Sequence, residues 1–304
     1  MEPFKIHVLG CGSALPTLRH NPSSQVVEIR GKFFMVDCGE GTQLQLRRSK
    51  LRFTRINSVF ITHLHGDHCF GLIGMLSTFG MLGRTAPMTV YGPKELGSIL
   101  AMLMTSFCTG LEYKVDFVPV DTEANKVVYE DKSLTVETVP LKHRLPCCGY
   151  LFREKPTLPH IRRDMVDFYN IPLSQINNIK NGADWIDADG NTVENERLTI
   201  PADRPRSYAY CSDTRYLPEL YKYLLNVDLL YHESTYISED SEKAKLYYHS
   251  TSKQAAMVAK AANVGKLMLG HYSSKYNDEK EILKEAKVVF DRCFLSEEGL
   301  VVDV

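Results

Sequence analysis

Residues 58–71 read SVFITHLHGDHCFG, and three of the chain's ten histidines, with an aspartate among them, fall between positions 63 and 68. The run SVFIT before them predicts a strand, and GDHCFGLIGMLSTFGML (66–82) has apolar spacing that suits a helix starting just after Asp67. The polar residues therefore sit where a strand hands over to a helix. His63 and His65 are two apart, so in extended backbone both project to one side. Asp67 and His68 follow in the turn and can point to a second position. Neutral imidazole and carboxylate are the ligands that suit Zn²⁺ and neighbouring transition metals. Four such donors on one loop cannot all close around a single ion, which points to two.

Two ions need more ligands, and strand ends elsewhere supply them. Asp213 closes SYAYCSD (207–213), His271 closes KLMLGH (266–271) and His143 closes LTVETVPLKH (134–143). The carboxyl ends of strands are where open sheets gather functional groups. With these three, two coordination shells fill, and Asp213 is free to bridge. A pair of metals about 3.5–4 Å apart can share a hydroxide and clamp the attacking and leaving oxygens of a phosphodiester or acyl centre.

The surrounding pattern repeats strand then helix in both halves. KIHVLG (5–10), QVVEIR (25–30), KFFMVDCG (32–39) and MTVYGP (88–93) read as strands, with a helix over 94–107. Later, strands at 207–213, 227–233 and 266–271 alternate with helices over 218–226, 252–263 and 277–290, the second capped by Thr251 or Ser250. This α/β alternation predicts layers, with sheets inside and helices outside. Residues 153–205 differ, being rich in proline, asparagine and charge, and read as an inserted arm or binding loop with too little apolar periodicity for a core.

Composition excludes little but removes some classes. The 36 basic residues nearly balance 37 acidic ones, so nucleic-acid binding would have to come from local patches. No stretch of 18 apolar residues predicts a membrane span, and MEPFKIHVLGCG has no signal-peptide pattern. The eight cysteines are scattered without CxxC pairs, which suits a reduced cytoplasmic protein. The run RRSKLRFTR (47–55) could meet RNA, or could simply be a solvated helix C-terminus.

HxHxDH followed by separate His, Asp and His resembles the metallo-β-lactamase superfamily. Within it the chain is similar to the ribonuclease Z family through LGCGSALP, VDCGEGTQLQL (36–46), CSDTR (211–215), LLYHEST (229–235), HSTSKQAA (249–256) and LGHYSSKY (269–276). The resemblance implies one four-layer αββα domain over 1–304, with 153–205 as an arm that grips transfer RNA. It implies one zinc ion on His63, His65, His143 and Asp213 and another on Asp67, His68 and His271 with Asp213 shared. Mn²⁺ or Fe²⁺ would be possible substitutes. Asp67 would orient or deprotonate the water, His249 would protonate the leaving 3′ oxygen, and Glu233 would orient or charge His249. The implied reaction is removal of the 3′ trailer from precursor tRNA after the discriminator base, by a metal-bridging hydroxide attacking phosphorus. A cytoplasmic homodimer is implied as well.

Two features depart from the family pattern. IPLSQINNIKNG (171–182) lacks the arm's usual Gly-Pro turn and is weakly basic, with Arg162, Arg163 and Lys180 left to meet phosphates. PTLRHN (16–21) matches loosely a loop that senses the 3′ end, with Leu18 and His20 where basic residues are common. Other readings are a relative acting on a β-lactam, thioester or sulfate ester, and an RNA-binding subunit without catalysis. A Cys in place of Asp213 would favour the lactamase branch; intact ligands disfavour the inactive subunit.

Overall fold

The computed structural model describes residues 2–304, which divide into two compact units. The larger unit, Glu2–Asp131, Thr135–Arg153 and Arg206–Val304, is built on two seven-stranded sheets.

In chain order the first part supplies β1 (Phe4–Gly10), β2 (Ser24–Ile29), β3 (Lys32–Cys38), β4 (Ile56–Phe60), β5 (Met88–Pro93) and β6 (Val115–Val120). Next come β7 (Val127–Glu130), β8 (Leu134–Pro140) and β9 (Cys148–Glu154). The last third supplies β10 (Ser207–Cys211), β11 (Leu229–Glu233), β12 (Lys266–Gly270), β13 (Cys293–Leu295) and β14 (Val301–Asp303). Helices α1 (Thr42–Arg48), α2 (Gly66–Cys69), α3 (Gly71–Met81) and α4 (Leu96–Phe107) belong to the first sheet. α5 (Ser241–Tyr247), α6 (Ser252–Ala261) and α7 (Lys280–Val289) belong to the second.

The first sheet runs β14-β1-β2-β3-β4-β5-β6 and the second β13-β12-β11-β10-β9-β8-β7. β3 to β6 are parallel, as are β10 to β13. Parallel strands covered on both faces are buried on both sides and mostly apolar, and every residue of β10 (SYAYC) and β11 (LLYHE) is buried.

The sheets meet through aromatic side chains. Phe60 of β4 lies 5.1 Å from Tyr150 and 5.7 Å from Phe152, both on β9, and Phe34 of β3 lies 5.8 Å from Phe152. Each such pair contributes about 0.5–1.5 kcal/mol beyond its buried area. The outer face of the first sheet packs Met35, Val59 and Val90 against Leu72, Met75 and Leu76 of α3 and Leu96 and Leu100 of α4. Helix, sheet, sheet and helix therefore follow in layers, as the αββα expectation required.

Helices start close to where the sequence places them. Thr251 caps α6 with a full capping box, its side chain accepting from Gln254 N while Gln254 returns the bond. The segment 218–226 differs: Pro218–Tyr223 is a 3₁₀ helix, and Asn226, with φ 55°, ends it before a full α-helix forms. α2 begins at Gly66, one residue before Asp67, so that Asp67 lies in its first turn.

The smaller unit comprises Glu154–Pro205 with Lys132–Leu134. It contains short helices at Arg163–Phe168, Ile176–Lys180 and Asn195–Leu198 and two small two-stranded sheets. Contrary to the expectation of no core, Ile171, Ile179, Val193 and Leu198 are buried together. Each short element donates only one or two apolar residues, so no helical or strand period is visible.

Candidate metal centre

β4 ends at Phe60, and the next residues carry Thr62, His63 and His65 out of the sheet. His63 Nε2 lies 3.0 Å from His65 Nδ1, which lies 3.2 Å from His143 Nε2. Asp213 Oδ2 stands 3.6 Å from His63 Nε2 and 3.7 Å from His143 Nε2. A second cage faces the other oxygen of the same aspartate. Asp213 Oδ1 is 3.2 Å from His68 Nε2 and 3.0 Å from His271 Nε2, and Asp67 Oδ2 is 3.4 Å and 3.5 Å from the same two nitrogens. Ligand bonds of about 2.0–2.1 Å in a tetrahedron put neighbouring donors about 3.3–3.4 Å apart.

The outer hydrogen bonds fix which nitrogen of each ring is bare. His68 Nδ1 donates to Asp37 Oδ2 at 2.7 Å, and His143 Nδ1 donates to the Tyr248 carbonyl at 2.9 Å. Thr62 Oγ1 donates to Asp37, so it accepts from His63 Nδ1 at 3.0 Å. Thr235 Oγ1 donates to Glu233, so it accepts from His271 Nδ1 at 2.9 Å. These four rings carry the proton on Nδ1 and turn a bare Nε2 inward; His68 Nε2 and His271 Nε2 are buried with no hydrogen-bond partner. Converging lone pairs and two buried carboxylates repel one another unless a cation lies between them, so the donor set fits divalent metal ions.

The electrostatics of the two cages differ. Burial holds His63, His65 and His143 below the ordinary histidine range, which favours the neutral, ligating ring. Burial also opposes charge on His68 and His271, but Asp213 and its neighbours outweigh it and push both up, His271 to about 10. Facing these carboxylates, the two rings call for positive charge at Nε2, which a proton or a metal ion can supply. Asp213 is buried, yet the imidazoles hold it well below the usual carboxylate range.

Beside the cages lies a buried acid. Glu233 is wholly buried at the end of β11, not a surface residue. Its Oε1 accepts from Thr214 N at 2.8 Å and from His249 Nδ1 at 2.9 Å, and its Oε2 accepts from Thr235 Oγ1 at 2.5 Å. The His249 ring lies 5.0 Å from that of His143 and 5.4 Å from that of His271. Burial disfavours charge on His249, but the Glu233 carboxylate offsets this and raises it. His249 also offers a ligand atom near those of Asp213 and His271, although its Nδ1 is taken by Glu233.

The structure thus brings together His63, His65, Asp67, His68, His143, Asp213 and His271, with His249 and Glu233 alongside. It adds residues the sequence reading did not single out: Asp37, Thr62, Thr235 and the Tyr248 carbonyl. Asp37 stands near the end of KFFMVDCG, a predicted strand, and inside VDCGEGTQLQL, which carries part of the family resemblance. It reaches His68 because the chain passes very close there: a Cβ on Gly71 would lie 2.1 Å from the Gly39 carbonyl oxygen. Asp37, Tyr248 and His271 have φ of 56°, 60° and 59°, backbone strain of roughly 1–3 kcal/mol each at the residues that build the centre.

The cages open into a cavity of about 590 Å³ lined in part by Asp67, Asp213, His249, Phe70 and Arg144. Pro16 lines it too, while His20 on the same loop is clasped by Glu298 at 3.0 Å and Glu279 at 3.3 Å. None of the basic side chains of the run 47–55 is among the described residues that line the cavity: Arg47 and Arg48 end α1, and Arg55 donates to the Gly31 carbonyl at 2.6 Å. Arg162, Arg163 and Lys180 belong to the smaller unit.

Residues 4–158 match the family model described as Anti-Pycsar protein Apyc1. Across 304 residues the chain is 54% identical to a ribonuclease Z of Bacteroides fragilis, covering 100% of both. It is 46% identical to one of Porphyromonas gingivalis with the same coverage. Human tRNase Z, short form (ELAC1), matches with a TM-score of 0.71 at 26% identity, covering 98% of each chain. The metallo-β-lactamase fold protein YhfI of Bacillus subtilis shares the fold, with a TM-score of 0.69 at 19% identity and 100% of each chain covered.

Proposed function

The chain belongs to the ribonuclease Z family, and from that premise we infer that it is an endoribonuclease that processes the 3′ end of tRNA. The single structural observation supporting the finer chemistry is the Asp213 carboxylate, whose two oxygens face different histidine cages. We propose that His63, His65, His143 and Asp213 hold one divalent ion and that Asp67, His68, His271 and Asp213 hold a second. Zinc suits both donor sets, with Mn²⁺ or Fe²⁺ as substitutes. Bound ions would supply Lewis acidity, lowering the pKa of water and offsetting charge on phosphoryl oxygens.

The protein's own groups carry the protons. Both imidazole contacts of Asp67 use Oδ2, which leaves Oδ1 to orient the attacking water and take its proton. As the water oxygen bonds to phosphorus, the bond to the ribose 3′ oxygen breaks, and His249 hands that oxygen a proton. Glu233 holds His249 in place and balances its charge. The products are tRNA with a 3′ hydroxyl and a trailer with a 5′ phosphate, cut after the discriminator base of a precursor.

We further propose a homodimer in the cytoplasm, in which the unit Glu154–Pro205 of one subunit grips tRNA at its partner's centre. Exposed Arg163 and partly buried Arg162 and Lys180 are the phosphate contacts of that arm. Eight free cysteines suit a reducing compartment, and no helix is long and apolar enough to cross a membrane. Cleavage of a precursor tRNA with both new ends mapped tests the reading. One cut after the discriminator base is expected; preferential turnover of a β-lactam would overturn it.

A further inference from the structure

We propose that Phe70, Tyr247 and Arg144 seat the unpaired nucleotides flanking the scissile phosphate, the two rings stacking on bases and the guanidinium meeting a phosphate. This rests on the endoribonuclease reading. All three side chains line the cavity that holds Asp67, Asp213 and His249. Phe70 is 71% exposed and Tyr247 41%, so two aromatic rings meet solvent at one cavity where ordinary packing would cover them.

The Phe70 ring packs beside Gly66, where a Cβ would come within 2.3 Å of it, so the glycine of the ligand loop leaves the space that the ring occupies. Phe70 follows Asp67 and His68 of one cage in the chain, and Arg144 follows His143 of the other. Each cage therefore has one such side chain beside it.

Arg144 lines the cavity, and among the described residues it has no carboxylate within ion-pair distance. Its guanidinium lies 5.8 Å from the Tyr247 ring centroid. An exposed guanidinium stacked on an aromatic ring keeps its donors for a phosphate and its face for the ring. An aromatic ring can stack only on a base that has left its helix, which selects unpaired strand regardless of sequence.

The test uses the full chain with metal, a short unstructured RNA for binding and a precursor tRNA for cleavage. Phe70→Ala is expected to weaken RNA binding about tenfold, and Phe70→Trp to restore most of it. Arg144→Ala is expected to lower the slope of log affinity against log salt by about 1, with Arg144→Lys retaining it. In cleavage, KM should rise more than kcat falls, and the loss should be several-fold larger on RNA than on a small phosphodiester. Binding within twofold of wild type for Phe70→Ala, or a fall in kcat alone, would overturn the seat. If the wild type binds RNA in this way yet does not cut precursor tRNA, the seat stands and the proposed function fails. If it cuts precursor tRNA while the variants bind like wild type, the reverse holds.

Discussion

Glu233 and His249 form a pair in which the carboxylate is wholly buried and the imidazole reaches the cavity, with Oε1 2.9 Å from Nδ1. The carboxylate has further donors in Thr214 N and Thr235 Oγ1. It therefore ties His249 to His271, which bonds the same threonine hydroxyl.

A general acid matters only when the leaving group needs a proton. His249→Ala should cut precursor tRNA about 10²–10⁴-fold more slowly, because ribose 3′ oxygen is a poor leaving group. On a bis(p-nitrophenyl) phosphate the loss should be far smaller, since nitrophenolate departs unprotonated. Glu233→Gln should fall between wild type and His249→Ala on RNA. Equal losses of His249→Ala on both substrates would remove the acid role.

Asp37 is the support the sequence reading passed over. It receives the His68 Nδ1 proton at 2.7 Å and also bonds Thr62 and Tyr210. Asp37→Asn fits the same positive φ, because asparagine tolerates that region, but it offers a weaker acceptor. Chelator competition should show metal affinity lower by about 10–100-fold. Affinity within twofold of wild type would contradict the role.

What could be read from the sequence follows from how local each feature is. Four candidate ligands within six residues are visible because one loop carries them. His143, Asp213 and His271 are visible because they follow apolar strands, although the strands end at Pro140, Cys211 and Gly270, so each ligand stands just beyond its strand. Asp37 and Thr235 are not visible: their partners, His68 and His271, lie 31 and 36 residues away. Only the sheet topology brings them together. The arm's small core was hidden for a similar reason, since Ile171, Ile179, Val193 and Leu198 come from separate short elements.

His20 gives the loop beside the cavity a pH-dependent anchor. The hydrogen bond to Glu298, helped by the charges of Glu298 and Glu279, raises His20 despite its burial. Burial would raise Glu298, but His20 and the Asn21 backbone N–H hold it lower. The charged His20 therefore stabilises the fold fully below about pH 6.5, and that part fades as pH rises through its raised folded value. The Glu298 part is present above about pH 4.3 and fades as pH falls through its lowered value. The gap in thermal midpoint between wild type and His20→Gln should be widest near about pH 6 and narrow toward about pH 9. A gap constant over that range would contradict the anchor.

We propose that the His and Asp cages joined by Asp213 hold the divalent metal with which precursor tRNA is cut. Cleavage of one precursor, with both ends mapped, should be measured before and after chelation, after zinc is restored, and with His65→Ala. A single cut is expected, leaving a 3′ hydroxyl on the tRNA and a 5′ phosphate on the trailer. That cut should be lost on chelation, regained with zinc, and reduced by at least about 10²-fold in His65→Ala. Cleavage that survives chelation, matches wild type in His65→Ala, or scatters along the RNA would contradict it.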